Sequence, residues 1–243
     1  MANESGDMKV LGNFRKLVDL LAAEPAYAPP NPKLQVAAMN TQHTAGLAAA
    51  QDVPNQQAPN KVAITERQLV FDQLPIIVPR SYNLLRASGA RKEIVADADT
   101  SRRKVLGRRK STKIKSDPNT PANDAAASHS AAQTSYEAQT GSFGAYVAIL
   151  KEVPEYQPND NSLKISALTA LHADLQAKSN AVSSTFVPLS QARGLRDALL
   201  YDDEDSVVNI ALLAKTYVAG EFGRDSKIFK QIKGLEFKRA RQR

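Results

Sequence analysis

The chain has 243 residues, enough for one large domain or two of ordinary size, and its 42% hydrophobic content includes only 6% aromatic residues and no Trp, an alanine-rich balance that suits packed helices over sheets. It has no Cys, which excludes disulfides, thiolate nucleophiles, zinc–thiolate sites and iron–sulfur clusters. The net charge of +7 is unevenly placed: residues 86–115 carry +8 and residues 224–243 carry +6, so the rest of the chain is acidic.

In chain order, the stretch from Met1 to Leu11 carries Glu4, Asp7 and Lys9 but no apolar run, so no secretory leader is expected. No later stretch approaches the ~18 apolar residues of a membrane span. The expected compartment is the cytoplasm. Apolar spacing then predicts helices over about 12–23, 31–53, 59–73, 76–88 and 90–106, broken near the prolines at 54 and 59.

The last of these runs into SRRKVLGRRKSTKIK, Ser101 to Lys115, the strongest functional signal in the chain. Lys and Arg at this density can neutralise several phosphates without reading sequence. The candidate anion- or nucleic-acid-binding residues are therefore Arg102, Arg103, Lys104, Arg108, Arg109 and Lys110, joined by Lys238, Arg239 and Arg241 in the second basic segment, 227–243. Against this, the first segment has no aromatic residue for base stacking, and cations at a helix C-terminus are favourable for local reasons.

Residues 113–136 are rich in Ser, Ala, Asn and Pro and read as a polar linker, in which Asp117 to Pro121 breaks any helix. Beyond it, Phe143, Tyr146, Val147, Ile149 and Leu150 share one helical face, which stops at Val153-Pro154. Asn159 to Ser162 offer caps to a helix carrying Leu163, Ile165, Leu168, Leu171, Leu175 and Val182, and Pro188 reads as the start of another that reaches Tyr201. Asp205-Ser206 caps a helix over Val207–Glu221, with Val208, Leu212, Leu213 and Tyr217 read as its buried side and Gly223 as its end. Asp225-Ser226 caps a last short helix over Lys227–Gly234.

Shifting the chain by 129 residues reveals an internal repeat. Over the 61 positions from Gly12 to Asp72 there are 15 identities without a gap, among them Phe14 with Phe143, Tyr27 with Tyr156, His43 with His172, Pro59 with Pro188 and Arg67 with Arg196. Random registers of ordinary composition would give roughly 4. The expected organisation is a helical unit at 8–112, the linker at 113–136 and a second unit at 137–243. Each is read as an up-and-down bundle, all-α, the two related by a pseudo-twofold. The expected core includes Leu17, Val18, Leu21, Leu34, Leu47 and Phe71 in copy one, and Val147, Leu150, Leu163, Leu168, Leu175, Leu199 and Leu212 in copy two.

His43 and His172 match between copies, and a pseudo-twofold would bring them together, but a metal needs a third or fourth ligand and the nearby acid Asp174 has only Ala45 at its matching place. Packing or capping is the plainer role. Arg67 and Arg196 also match; either could clamp an anion, though an ion pair with an adjacent acidic helix explains them as simply. Tyr27 and Tyr156, each in a Pro-x-Tyr-x-Pro turn, are expected to pin the first loop of their copy to the core. No phosphate-cradling loop, nucleophile elbow or zincin motif occurs, and the acids at 202–205 stand where a helix start explains them. No catalytic residue, metal ligand or cofactor is assigned.

YVAGEFGRDSKIFKQIKGLEF, Tyr217 to Phe237, and FVPLSQARGLRDALLY, Phe186 to Tyr201, resemble a group of uncharacterised all-helical bacterial proteins found mainly in Bacteroidota. The resemblance implies a duplicated helical fold and a bacterial source; it carries no activity and no site residue. The sequence therefore points to a non-enzymatic interaction or scaffold protein that engages a protein partner or itself, with nucleic acid as the rival partner and no membrane.

Overall fold

The computed structural model describes residues 4–107 and 135–237, and these residues contain helices and no strand. The helices are α1 (Glu4–Ala22), α2 (Val36–Phe71), α3 (Leu74–Ala87), α4 (Lys92–Val105), α5 (Tyr136–Lys151), α6 (Ile165–Asp197), α7 (Val207–Glu221) and α8 (Lys227–Ile232). The fold class is all-α, as composition and spacing indicate. None of the described helices is long and apolar enough to cross a membrane.

Helix starts follow local chemistry. The hydroxyls of Ser135, Ser206 and Ser226 accept hydrogen bonds from the amides of Ala138, Asn209 and Phe229, so α5, α7 and α8 each begin on a serine cap. Asn31 and Asp160 cap 3-10 turns at Pro32–Leu34 and Asn161–Leu163, one turn ahead of α2 and α6. Gly89 follows the end of α3 with φ 84° and Gly223 the end of α7 with φ 79°, backbone angles that favour glycine at a helix stop.

Three boundaries differ from expectation. The helices read at 31–53 and 59–73 are one helix, α2, which continues through Pro54 and Pro59; α6 likewise passes Pro188 instead of restarting there. Each proline removes one intrahelical donor. All three prolines are exposed, and of the residues four positions earlier Asn55 and Ser184 are exposed and Ala50 is half-buried. At the other boundary, α1 starts eight residues before the expected 12.

The described contacts resolve into two compact units, one made of residues Met1–Asn60 with Thr185–Arg243, the other of Lys61–Ser184. These units cut across the sequence copies at 8–112 and 137–243: α2 gives its first part to one unit and its last part to the other, and so does α6. In the first unit α1 packs on α7 and α8, burying Phe14, Leu17, Val18 and Leu21 among Val207, Val208, Ala211, Val218, Ile228 and Ile232. Gly46 of α2 makes close approach possible here, since a methyl group on it would meet Leu11 at 3.1 Å and Val207 at 3.3 Å. In the second unit α4 packs on α5 and α3, and Phe143, Tyr146, Val147 and Leu150 are buried with Val78, Leu85, Ala98, Leu168 and Leu175. A buried hydroxyl pair in that core is satisfied internally, with Ser81 Oγ and Tyr146 Oη 2.9 Å apart.

Most of the expected core is buried, with three exceptions. Leu47 and Leu199 are half-buried, and Leu212 is 38% exposed. In α7 the inward face is Val207, Val208, Ile210, Ala211, Ala214 and Val218, while Leu212 and Leu213 face out and Tyr217 is half-buried, so the expected face is corrected by about one position. Ala211 and Ala214 are small enough to let α7 lie close on α1, a packing gain that a count of large apolar residues undervalues.

Candidate functional site

Of the basic residues singled out in the sequence, Arg102, Arg103 and Lys104 lie in the last turn of α4, and Arg108, Arg109, Lys110, Lys238, Arg239 and Arg241 lie outside the described residues. Arg102 donates to Asp99 through Nε at 2.9 Å and through its terminal nitrogen at 2.5 Å, and Arg103 pairs with the other oxygen of the same carboxylate. The Arg102 guanidinium also covers the Tyr82 ring at 4.6 Å. Burial pushes the Asp99 carboxyl up, but the Arg102 hydrogen bond and the charges of Arg102 and Arg103 outweigh it and hold the group below its ordinary value. Two of the three described candidates are thus already engaged within their own helix, while Lys104 is exposed.

The histidines pack on aromatic rings. His43 stacks with Phe14 and belongs to the first unit; His172 lies beside Phe143 in the second, with a centroid separation of 6.4 Å in each case. Burial, and then the charge of Arg15, lower the His43 pKa. The His172 ring fills the space over Gly144, where an added methyl group would fall 2.7 Å from Nε2. Among the described residues no group of three or more His, Cys, Asp or Glu is arranged to hold a metal.

Tyr27 and Tyr156 pin their loops as expected: each phenol donates to a backbone carbonyl, Leu34 O and Leu163 O respectively, at 2.9 Å. Burial pushes both phenols up to about 12, with Tyr217 adding to the effect at Tyr27.

The matched arginines carry the structure's most developed polar geometry. Arg196 donates to Asp197 at 2.9 and 2.7 Å and pairs with Asp7 at 3.3 Å; the Asp7 side chain is 8% exposed and that of Arg196 14%. Tyr201 donates to the same Asp7 carboxylate at 2.5 Å, from a π-helical turn over Ala198–Asp202 that extends α6. Burial and then the Asp7 hydrogen bond raise the Tyr201 pKa; burial acts to lower that of Arg196, and Asp197 and Asp7 outweigh it. Arg67, by contrast, stacks its guanidinium on the Tyr136 ring at 3.8 Å, and its buried Nε has no hydrogen-bond partner. Tyr136 in turn lines a cleft of about 440 Å³ in the second unit, together with Phe71, Leu74, Val105 and Leu106.

Asp7, Tyr136 and Tyr201 were not among the sequence candidates. The signal that could have found them is the repeat itself: the shift that pairs Arg67 with Arg196 also sets Asp7 against Tyr136 and Asp72 against Tyr201. In both units, then, the matched arginine meets a residue near the start of a helix, Asp7 of α1 at Arg196 and Tyr136 of α5 at Arg67. No family model matches the chain, and neither the curated proteins nor the solved structures contain a match.

Proposed function

We propose that this chain is a non-enzymatic helical interaction or scaffold protein built by tandem duplication of one helical unit, its halves related by a pseudo-twofold. The duplication reading is supported by paired detail at a constant offset. The tyrosine-to-carbonyl bonds are both 2.9 Å, the capped 3-10 turns stand at Pro32–Leu34 and Asn161–Leu163, and α1 and α5 end at Ala22 and Lys151.

The observation that carries the interaction reading is the outward display of large apolar side chains from ordered helices. Val62 and Leu69 are 57% and 62% exposed and stand two turns apart on one face of α2, and Ile76 of α3, in the same unit, is 62% exposed. Clustered exposed apolar residues mark association surfaces more often than scattered single ones do. Sedimentation velocity across a concentration series, joined to capture with the full chain as bait, tests this with Val62→Lys/Leu69→Lys. Self-association or a captured protein that disappears in the variant is expected. A wild-type chain that stays monomeric and captures the same set as the variant overturns the reading.

Nucleic-acid binding is the second reading, supported by exposed Lys104 and by the run GRRKSTKIK that begins three residues after it in the sequence. Reversing Arg102 and Arg103 would crowd Asp99 and disturb α4, so the decisive variant is Arg108→Glu/Arg109→Glu. Fluorescence anisotropy with a labelled single strand is expected to give binding that falls steeply with salt and is lost in the variant. No binding by the wild-type chain at low salt removes this reading.

A further inference from the structure

We propose that the cleft in the second unit binds a small amphiphilic monoamine, with its ammonium group on the Asp72 carboxylate and its hydrocarbon body over Phe71, Leu74, Val105 and Leu106. This is a small-molecule site, independent of the macromolecular readings above.

The ammonium group follows from comparing matched positions in the two units. In the first, Arg196, Asp197, Tyr201 and Asp7 close on one another: the buried Asp7 pairs with Arg196 at 3.3 Å and accepts from the Tyr201 hydroxyl at 2.5 Å. The shift of 129 sets Arg67, Gln68, Asp72 and Tyr136 at those places, so the acid and the phenol have exchanged positions and the second acid has become an amide. There Gln68, Asp72 and Tyr136 line a cleft, and Asp72 is exposed. Asp72 is the one charged residue of that lining, and among the described residues no cation pairs with it. Other cations of this unit are committed elsewhere: the Arg67 guanidinium rests on the Tyr136 ring without lining the cleft, and Arg102 and Arg103 hold Asp99. The group that suits such a carboxylate is a positively charged donor, and the side-chain oxygens of Gln68 and Gln139 in the same lining can accept the remaining N–H groups of an ammonium.

The body of the ligand follows from the walls. A volume of about 440 Å³ lies within the range of small-molecule pockets, roughly 300 to 1,000 Å³. Phe71 and Leu74 are buried at the end of α2 and the start of α3, Val105 at the end of α4, and Tyr136 opens α5, so the apolar floor is set by four helix ends rather than by a loop. With one carboxylate in an otherwise uncharged lining, a second ammonium on the ligand would be desolvated without a partner, which selects a monoamine over a diamine. The same carboxylate repels an anion.

Octylamine, 1-octanol and octanoate, titrated calorimetrically into the full chain, separate the charge from the hydrocarbon. Octylamine is expected to bind one site about fivefold more tightly than octanol, the gain of a solvent-exposed ion pair, and octanoate more weakly than either. Asp72→Asn is expected to erase the preference for octylamine, and Asp72→Lys to reverse it in favour of octanoate. Circular dichroism checks that each variant remains helical; if neither folds, the three-ligand comparison on the wild-type chain still decides the matter. Methyl NMR locates the site: the resonances of Leu74, Val105 and Leu106 are expected to shift and to saturate together with the calorimetric signal. No saturation by octylamine up to about 10 mM, equal binding of octylamine and octanol, or an unchanged preference in folded Asp72→Asn overturns the proposal. So does the absence of shifts at those three methyl-bearing residues, the outcome if another part of the chain fills the cleft.

Discussion

Replacing Asp7 by Ala tests whether the buried polar cluster at the end of α6 holds the first unit together. The carboxylate is 8% exposed and serves two groups, Arg196 at 3.3 Å and the Tyr201 hydroxyl at 2.5 Å. Breaking a buried ion pair by removing one partner costs about 3 to 5 kcal/mol, because the remaining charge stays desolvated. Arg196 keeps Asp197, whose side chain is 44% exposed and more weakly coupled, so the lower end of that range applies. The stranded Tyr201 hydroxyl adds about 1 kcal/mol. The expected loss is about 3 to 4 kcal/mol, read by urea unfolding followed by circular dichroism. Asp7→Asn, which retains an acceptor for Tyr201, is expected to lose less. Asp19→Ala, which removes the exposed i,i+4 partner of Arg15, is the control and is expected to cost less than about 0.5 kcal/mol. A loss under about 1 kcal/mol in Asp7→Ala would show that the cluster is decorative and that apolar burial alone sets the stability of this unit.

Three further outcomes are expected. Leu168→Ala, at a fully buried site, should cost about 2 to 5 kcal/mol, and Leu212→Ala, on the outer face of α7, less than about 1 kcal/mol, both by urea unfolding; equal effects would reverse the assigned face. Since burial raises Tyr27 and Tyr156 to about 12 against about 10 in an unfolded chain, the fold favours their protonated forms, and that stability is present below pH ~10 and lost as pH rises toward ~12. Tyr27→Phe/Tyr156→Phe should therefore flatten the alkaline fall in unfolding free energy, and an unaltered slope would place those phenols in water. Gly223→Ala should cost about 1 kcal/mol by thermal unfolding, because φ is 79° there, and a neutral result would show that α7 ends in another backbone state.

What could be read in the sequence was what neighbours along the chain decide. The serine caps at 206 and 226, the glycine stop at 223, the tyrosine turns and the buried stripe of Leu17, Val18 and Leu21 depend on residues within a turn or two, and the structure has them in place. Pro54, Pro59 and Pro188 misled because the cost of a proline inside a helix can be outweighed by packing along the rest of that helix, and packing is a tertiary property. The α7 face misled for a related reason: which side of an apolar helix turns inward is chosen by its neighbour, here α1, about 190 residues distant. The candidate site divided along the same line. The equivalence of Arg67 and Arg196 is visible in the alignment, but that one meets a carboxylate and the other a tyrosine ring depends on which helix start reaches each of them.

The interleaving of the two compact units has a consequence in time. Residues 61–184 form an unbroken segment, so that unit has all its parts once residue 184 has been made. The other unit does not: α1 is finished at Ala22 and the start of α2 supplies part of its cover early, but α7 and α8, which complete it, begin only at Val207. At about 5 to 20 residues per second, α1 waits roughly 10 to 40 s for α7, exposing Phe14, Leu17 and Leu21 meanwhile. Synthesis speed and chaperone occupancy over that interval, rather than the final free energy, then govern the yield of folded chain, and the last helices made act as the clasp that ends the exposure.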